Sequence, residues 1–352
     1  MTQWWNGERR LDGAGPHSMQ PVRAIGLFLL GIAMWRAATA FGDTVWVRKE
    51  GRGPVARKGT IVDRRRDYLL LERIAGRPEK IMETQIDRVE YQRSALQERA
   101  DALFDAMQYA DALPALEQAI EVESRDWVRR ELLARRCRAL RNVGRMTEAA
   151  ETFRQLMALD ATRYHLNAAP LRWKMRLPDA AMQNWGTQHL SSDEPAVRLV
   201  AASWLLSGPH RAEAVAALKQ LELDHDSQLA RWAAFQHQRA LLVQWDEATA
   251  TRYAARIRKL DESLRAGPCF LVGTAFGRLK RNESSIEWLL RVAMLYPHDV
   301  EIAAESLYRA GDAAMAVGRP GDARRMWQLL SDRYPQHPAA RRAASRQKAS
   351  QE

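Results

Sequence analysis

Apolar residues between Ala310 and Leu330 fall at helical spacing in two runs. Ala310, Ala314 and Val317 form the first, and Ala323, Met326, Trp327 and Leu330 the second. Arg319-Pro320-Gly321 separates them, Asp322 suits the first turn of the second helix, and Tyr334-Pro335 ends it. Two helices this short do not persist alone in water, so the pattern predicts a helical hairpin packed on neighbours. Ala339, beyond Pro335 and Pro338, is expected to be exposed.

The same arrangement recurs. Ala112, Leu116 and Ala119 stand four and three residues apart, as do Ala149, Phe153 and Leu156 after Gly144, and Ala323, Trp327 and Leu330 after Gly318. "SSIEWLLRVAMLYP" ends in Tyr-Pro as the 310–335 stretch does, 38 residues earlier. A small residue followed by a large one suits two helices that cross closely, because the small side chain admits the neighbour's backbone and the large one fills the adjacent gap.

These residues resemble the tetratricopeptide repeat family over 95–160 and 283–345, including the small residue at Gly311 and the closing prolines. The resemblance implies a right-handed superhelix of helical hairpins with a concave, partner-binding face. Two departures stand out: the spacing from Ala112 to Ala149 is 37 residues where 34 is usual, and Met107 replaces a turn glycine. Residues 161–282 are also helical by pattern, and "DEPAVRLVAASWLL" and "HDSQLARWAAFQHQRALL" resemble a HEAT-type pair when Arg198 is aligned with Arg231. Irregular helical repeats are expected there, and a disordered tail over 346–352.

Residues 43–92 have a different period. Val45 alternates with Val47 and Leu69 with Leu71, and turn-forming residues at 51–54, 64–66 and 76–78 mark off four pieces, the last of which holds two short strands, "EKIMET" and "IDRVEY", for five in all. The expectation is a small five-stranded SH3-like or Sm-like barrel docked on the first helices. It resembles the β-domain that precedes tetratricopeptide arrays in some exported bacterial proteins, with Lys58 to Val62 and Ile86 to Val89 as matching pieces.

Upstream, Arg23, an apolar run from Ala24 to Trp35 and Ala38-Thr39-Ala40 have the order of a secretory signal peptide. Residues 1–40 are expected to be removed, with Met19 as an alternative start, leaving a periplasmic or extracytoplasmic chain beginning at Phe41. The run is shorter than the roughly 20 residues a membrane anchor needs, so contact with the membrane is expected only during export. Removal takes four arginines and two acids, and lowers the net charge from +11 to +9.

Arginine supplies most of that charge. Spread over helix faces, it points to solvated surface more than to a nucleic-acid footprint, and export disfavours nucleic acid further. A polyanion binder using the β-domain and Arg64-Arg65-Arg66 is the alternative reading. Cys137 and Cys269 lie far apart on apolar faces, where buried thiols are the rule, although an oxidising compartment permits a disulfide.

Catalytic motifs are missing from the sequence. It contains no His-Glu-x-x-His, no paired Cys/His set, no Gly-x-Ser-x-Gly elbow, no phosphate loop and no dinucleotide fingerprint. Asp224-His225-Asp226 reads as a cap and turn, and Gly273 to Gly277 as close helix packing. A hydrolase of envelope polymer therefore has no paired-carboxylate context behind it. The expectation is an exported scaffold without enzymatic activity, cofactor, metal or small-molecule substrate, which holds a protein or peptide partner on its concave face. The expected contacts are Arg138, Arg141 and Asn142. They share with Ala134 the stripe of the 126–143 helix opposite its apolar face, and two guanidiniums three residues apart suit a carboxylate.

Overall fold

The structure is a computed structural model that describes residues 42–49 and 51–349, without the side chains of Arg52 and Ala349. The expected signal segment lies outside the described residues.

Five strands come first: β1 (Asp43–Lys49), β2 (Arg52–Arg64), β3 (Tyr68–Ile74), β4 (Arg77–Met82) and β5 (Ile86–Glu90). They form one antiparallel sheet in the order β4-β3-β2-β1-β5. β2 begins earlier than the turn at 51–54 had implied, because it serves two partners in succession. It pairs with β1 through Gly59 and with β3 from Thr60 onward. The bend between the two needs a glycine, since a Cβ at Gly59 would lie 2.5 Å from the Glu72 carbonyl oxygen.

The expected barrel is corrected to an open sheet, with β4 and β5 at opposite edges. Its apolar face, with Val45, Val47, Ile61, Leu69, Leu71 and Ile81 buried, is covered by helix instead. Trp127 lies edge-on to Tyr91 and donates its indole N–H to the Ile61 carbonyl at 3.1 Å. Arg130 donates to Asp63 and to the Arg64 carbonyl, so a helix closes the core that a barrel would have closed with its own strands.

The helices are α1 (Ala95–Asp105), α2 (Tyr109–Val122), α3 (Asp126–Asn142), α4 (Met146–Leu159), α5 (Ala180–His189), α6 (Pro195–Leu205) and α7 (Arg211–Leu221). They continue with α8 (Ser227–Ala240), α9 (Glu247–Ile257), α10 (Ala266–Arg278), α11 (Asn282–Leu295), α12 (Val300–Ala316), α13 (Pro320–Arg333) and α14 (Pro338–Ala349). Neighbours in sequence pack as pairs, and α6, α8, α10, α12 and α14 each touch the next, forming one layer.

Four of the hairpin turns share one geometry. Met107, Gly144, Lys280 and Gly318 have φ of 58°, 83°, 59° and 74°, the left-handed region that ends a helix. The residue after each donates its N–H five residues back at 2.9 Å, to Leu103, Leu140, Phe276 and Ala314. Met107 thus adopts the conformation usual for glycine in that turn.

The small-large pattern does what its spacing implies. Ala149, Phe153, Leu156, Ala323, Trp327 and Leu330 are all buried, and Trp327 lies so close to Gly311 that a Cβ there would come within 2.2 Å of its indole nitrogen. Gly273 packs on Leu289 and Gly277 on Ser285, both in α11. Ala339 is buried rather than exposed, because Pro338 starts α14 and α14 docks on α12 and α13. That helix continues to Ala349, so the first four residues expected as a tail are helical, and 350–352 lie outside the described residues.

Candidate binding cleft

Between α4 and α5 the chain does not form a hairpin turn. Apart from a short 3-10 turn at Leu166–Ala168, residues 160–179 are irregular, and most of 165–173 is buried. Buried backbone must find hydrogen-bond partners, and here side chains from several helices supply them. Cys137 Sγ of α3 donates to the Ala168 carbonyl at 3.1 Å, and Trp204 Nε1 of α6 to the Pro170 carbonyl at 2.8 Å. Gln236 and Arg239 of α8 both donate to the Arg172 carbonyl, and the Arg172 N–H reaches Ser203 Oγ at 3.0 Å. Trp173 then packs on Gly267 of α10, where a Cβ would lie 1.7 Å from its ring. This strap occupies the face of the α6, α8 and α10 layer.

The strap leaves the core beside a cleft of about 500 Å³. Arg172, Lys174, Arg176 and Leu177 line it, the three cations alternating in sequence with Trp173 and Met175. Arg141, Asn142, Asp179, Met182, Val300, Glu301 and His337 also belong to the wall.

Most charges in this wall have partners. Arg141 pairs with Asp299, and Lys174 lies 3.5 Å from Glu301 and 3.7 Å from Glu305. Asp179 caps α5, accepting from the Met182 N–H at 2.8 Å. His337 Nδ1 accepts from the Ala339 N–H at 3.2 Å, and burial, aided by Lys174, lowers the His337 pKa and favours the neutral ring.

Two cations differ. Arg172 is 7% exposed, yet its guanidinium makes a single hydrogen bond, 3.3 Å to the Leu177 carbonyl, and no ion pair among the described residues. Burial lowers its pKa, opposed by the negative charges of Glu301 and Asp179 and reinforced by the positive charge of Arg176. Arg176 is exposed and has neither hydrogen bond nor ion pair among the described residues. Behind them, the fully buried Arg239 has no carboxylate partner either, but its guanidinium donates to the carbonyls of Arg172 and Ser203, and burial followed by Arg172 pushes its pKa down to about 9.

Of the residues expected from sequence, Arg141 and Asn142 reach the cleft wall and Arg138 does not. Arg138 donates to Asn167 Oδ1 of the strap at 2.7 Å, and burial lowers its pKa. Asn142 donates to the His298 carbonyl at 2.8 Å, next to a Tyr109 hydroxyl that lies 3.0 Å from His298 Nδ1. Hence α3 meets the α11–α12 turn where open groove was expected. Ala134, from the same stripe, is buried, while Val143 falls in the turn and is partly exposed. Arg172, Lys174 and Arg176 were missed, and their signal is the alternation of cations between Pro170 and Pro178.

A larger cavity of about 830 Å³ lies between the β2–β3 turn and the helices. Its charges are matched. Arg66 pairs with Asp226 at 2.8 Å and Asp261 at 3.2 Å, and Arg163 with Glu194 at 3.0 Å and Asp224 at 3.3 Å. Arg64 pairs with Glu83 and Arg65 with Asp63, so each arginine of the 64–66 run has a carboxylate partner. Asp226 also caps α8 through the Gln228 N–H, while His225 is exposed. Cys137 and Cys269 are both buried free thiols. Among the described residues no three His, Cys, Asp or Glu side chains are placed to hold a metal ion, and no helix is long and apolar enough to cross a membrane. In comparison with known proteins, the chain matches no family model and no curated protein sequence.

Proposed function

We propose that this protein is an exported, non-enzymatic scaffold of tetratricopeptide-like character that holds a protein or peptide partner at the mouth of the basic cleft. The observation that carries the reading is the end of the strap. Met175, Arg176 and Leu177 stand exposed beside the cleft, with Leu177 at 73%, so apolar and cationic groups are presented together on a rigidly anchored segment. Arg141 and Asn142 border the same opening. Export rests on the sequence of residues 23–40. The polyanion alternative is weaker, because the carboxylates beside Arg64, Arg65 and Arg66 compete with phosphate for them.

The test is affinity capture from the envelope fraction of the producing cell, with wild type beside Met175→Ser/Leu177→Ser. Both side chains are exposed, so the variant should melt like wild type and lose the captured partner. Undiminished capture would move the interface elsewhere. Sequencing the N-terminus of the cell-derived protein should give Phe41, and retention of residues 1–40 would refute export.

A further inference from the structure

We propose that the cleft binds a small phosphorylated molecule, with its phosphate group on Arg172 and Arg176. This goes beyond the partner-binding reading, and neither depends on the other.

Four cations, Arg141, Arg172, Lys174 and Arg176, line the cleft with two carboxylates, Asp179 and Glu301. Within the wall Arg141 is matched by Asp299, Lys174 by Glu301 and Glu305, and Asp179 is committed to the α5 cap. What remains is a pair of guanidiniums. Arg172 has been withdrawn from water with no carboxylate at ion-pair distance among the described residues; Glu301 and Asp179 favour its charge from farther away, and Arg176 opposes it. A buried cation beside a like charge is costly unless an anion joins them. Arg239 shows the contrast, since its charge is directed at two backbone carbonyls, whereas the Arg172 guanidinium has one long hydrogen bond and borders open space.

Local backbone adds to the field. The first turns of α4 (Met146), α5 (Met182), α12 (Val300) and α14 (Pro338) all contribute to the wall, against one helix C-terminus, that of α3. Helix N-termini carry partial positive charge, although the Met182 N–H of α5 is already held by Asp179 and the Ala339 N–H of α14 by His337. Two unmatched guanidiniums call for two negative charges, which a phosphate monoester carries near neutral pH. The cavity exceeds the size of a bare phosphate, and Met146, Leu177, Met182 and Val300 offer apolar surface to the body of the molecule.

The experiment is titration calorimetry of the full chain with inorganic phosphate, phenyl phosphate, succinate and acetate, at ionic strength held constant with sodium chloride. Phosphate should bind saturably at one site, phenyl phosphate more tightly and acetate hardly at all. Arg176→Gln should weaken phosphate binding about tenfold, the scale of one charge-assisted contact, without lowering the melting temperature of the free protein. Arg176 has no partner to lose among the described residues, so this variant avoids the risk that Arg172→Gln disturbs the buried strap. Absence of saturable phosphate binding, full affinity in Arg176→Gln, or tighter binding of succinate than of phosphate would each overturn the proposal.

Discussion

Lys280 offers a direct test of the turn geometry shared by the hairpins. It has φ of 59°, close to the 74° of Gly318 in the next hairpin, and the same backbone bond five residues back. A side chain in this region costs about 1 to 2 kcal/mol relative to the right-handed conformation. Glycine avoids that cost, but its greater freedom in the unfolded chain returns about 0.4 to 1 kcal/mol. Lys280→Gly should therefore stabilise the protein by about 0.5 to 1 kcal/mol. Lys280 is exposed, and its side chain has no hydrogen bond, ion pair or ring contact among the described residues, so no side-chain contact is lost to obscure the gain.

Gly144→Ala and Gly318→Ala are the mirror experiments. A Cβ at either position meets nothing within 4 Å, so its cost is conformational and should equal the gain at 280 with opposite sign. Met107→Gly should come out near neutral, because Met107 is half-buried and its lost apolar contact, about 1 kcal/mol, offsets the relief of the backbone. The assay is urea unfolding followed by tryptophan fluorescence, with stability read from the midpoint at unchanged slope. A Lys280→Gly variant no more stable than wild type, beside a destabilised Gly318→Ala, would refute the shared geometry.

Three further outcomes follow from packing and charge. Gly311→Ala would place a methyl group 2.2 Å from the Trp327 indole nitrogen and should cost about 1 to 3 kcal/mol, seen as a lower urea midpoint. Ala339→Leu and Ala323→Leu enter equally buried sites and should each cost about 1 to 3 kcal/mol; a silent Ala339→Leu would mean that α14 is not docked. Burial acts to raise the Glu305 pKa, but Arg309, Lys174 and Arg342 outweigh it and hold it below the ordinary 4.5. The folded value is thus below the unfolded one, so this carboxylate stabilises the fold above pH 4.5 and the contribution is lost as pH falls through the folded value. Melting between pH 3 and 6, about 1.5 units on either side of the ordinary 4.5, should show a shallower acid decline in Glu305→Gln than in wild type.

The strands and hairpins were legible in the sequence because their signals are local. Alternation of Val45 with Val47, or the step from Ala149 to Phe153, needs only one turn or one strand to be read. Closure of the sheet was not legible, since it depends on Trp127, 66 residues from the Ile61 carbonyl it covers. Pro335 and Pro338 read as an ending, although Pro338 occupies the first helical position of α14, where proline is tolerated. Of the candidate site, the Arg141 and Asn142 positions were found from helix spacing, but their partners are about 160 residues away in sequence. The strap's alternation spans only six residues, and the side chains that anchor it come from α3, α6 and α8, so nothing nearby announces it.

The strap also accounts for the weak pattern of residues 161–282. A helix that packs only on its hairpin mate and its neighbours can keep one small-large stripe. Helices α6, α8 and α10 must in addition receive an extended segment, and the residues that do so are of other kinds: Ser203 and Trp204, Gln236 and Arg239, Gly267. Their polar groups are directed at carbonyls of residues 170 and 172, and Gly267 makes room for Trp173. A partner entering this face would have to expel Trp173 and leave the Arg172 carbonyl and the Arg239 charge without each other. Each buried polar group stranded in that way costs about 1 to 3 kcal/mol, and more when charged. On the proposed reading, a partner would instead meet the strap's exposed end, where Arg176 and Leu177 can be covered with no internal contact broken.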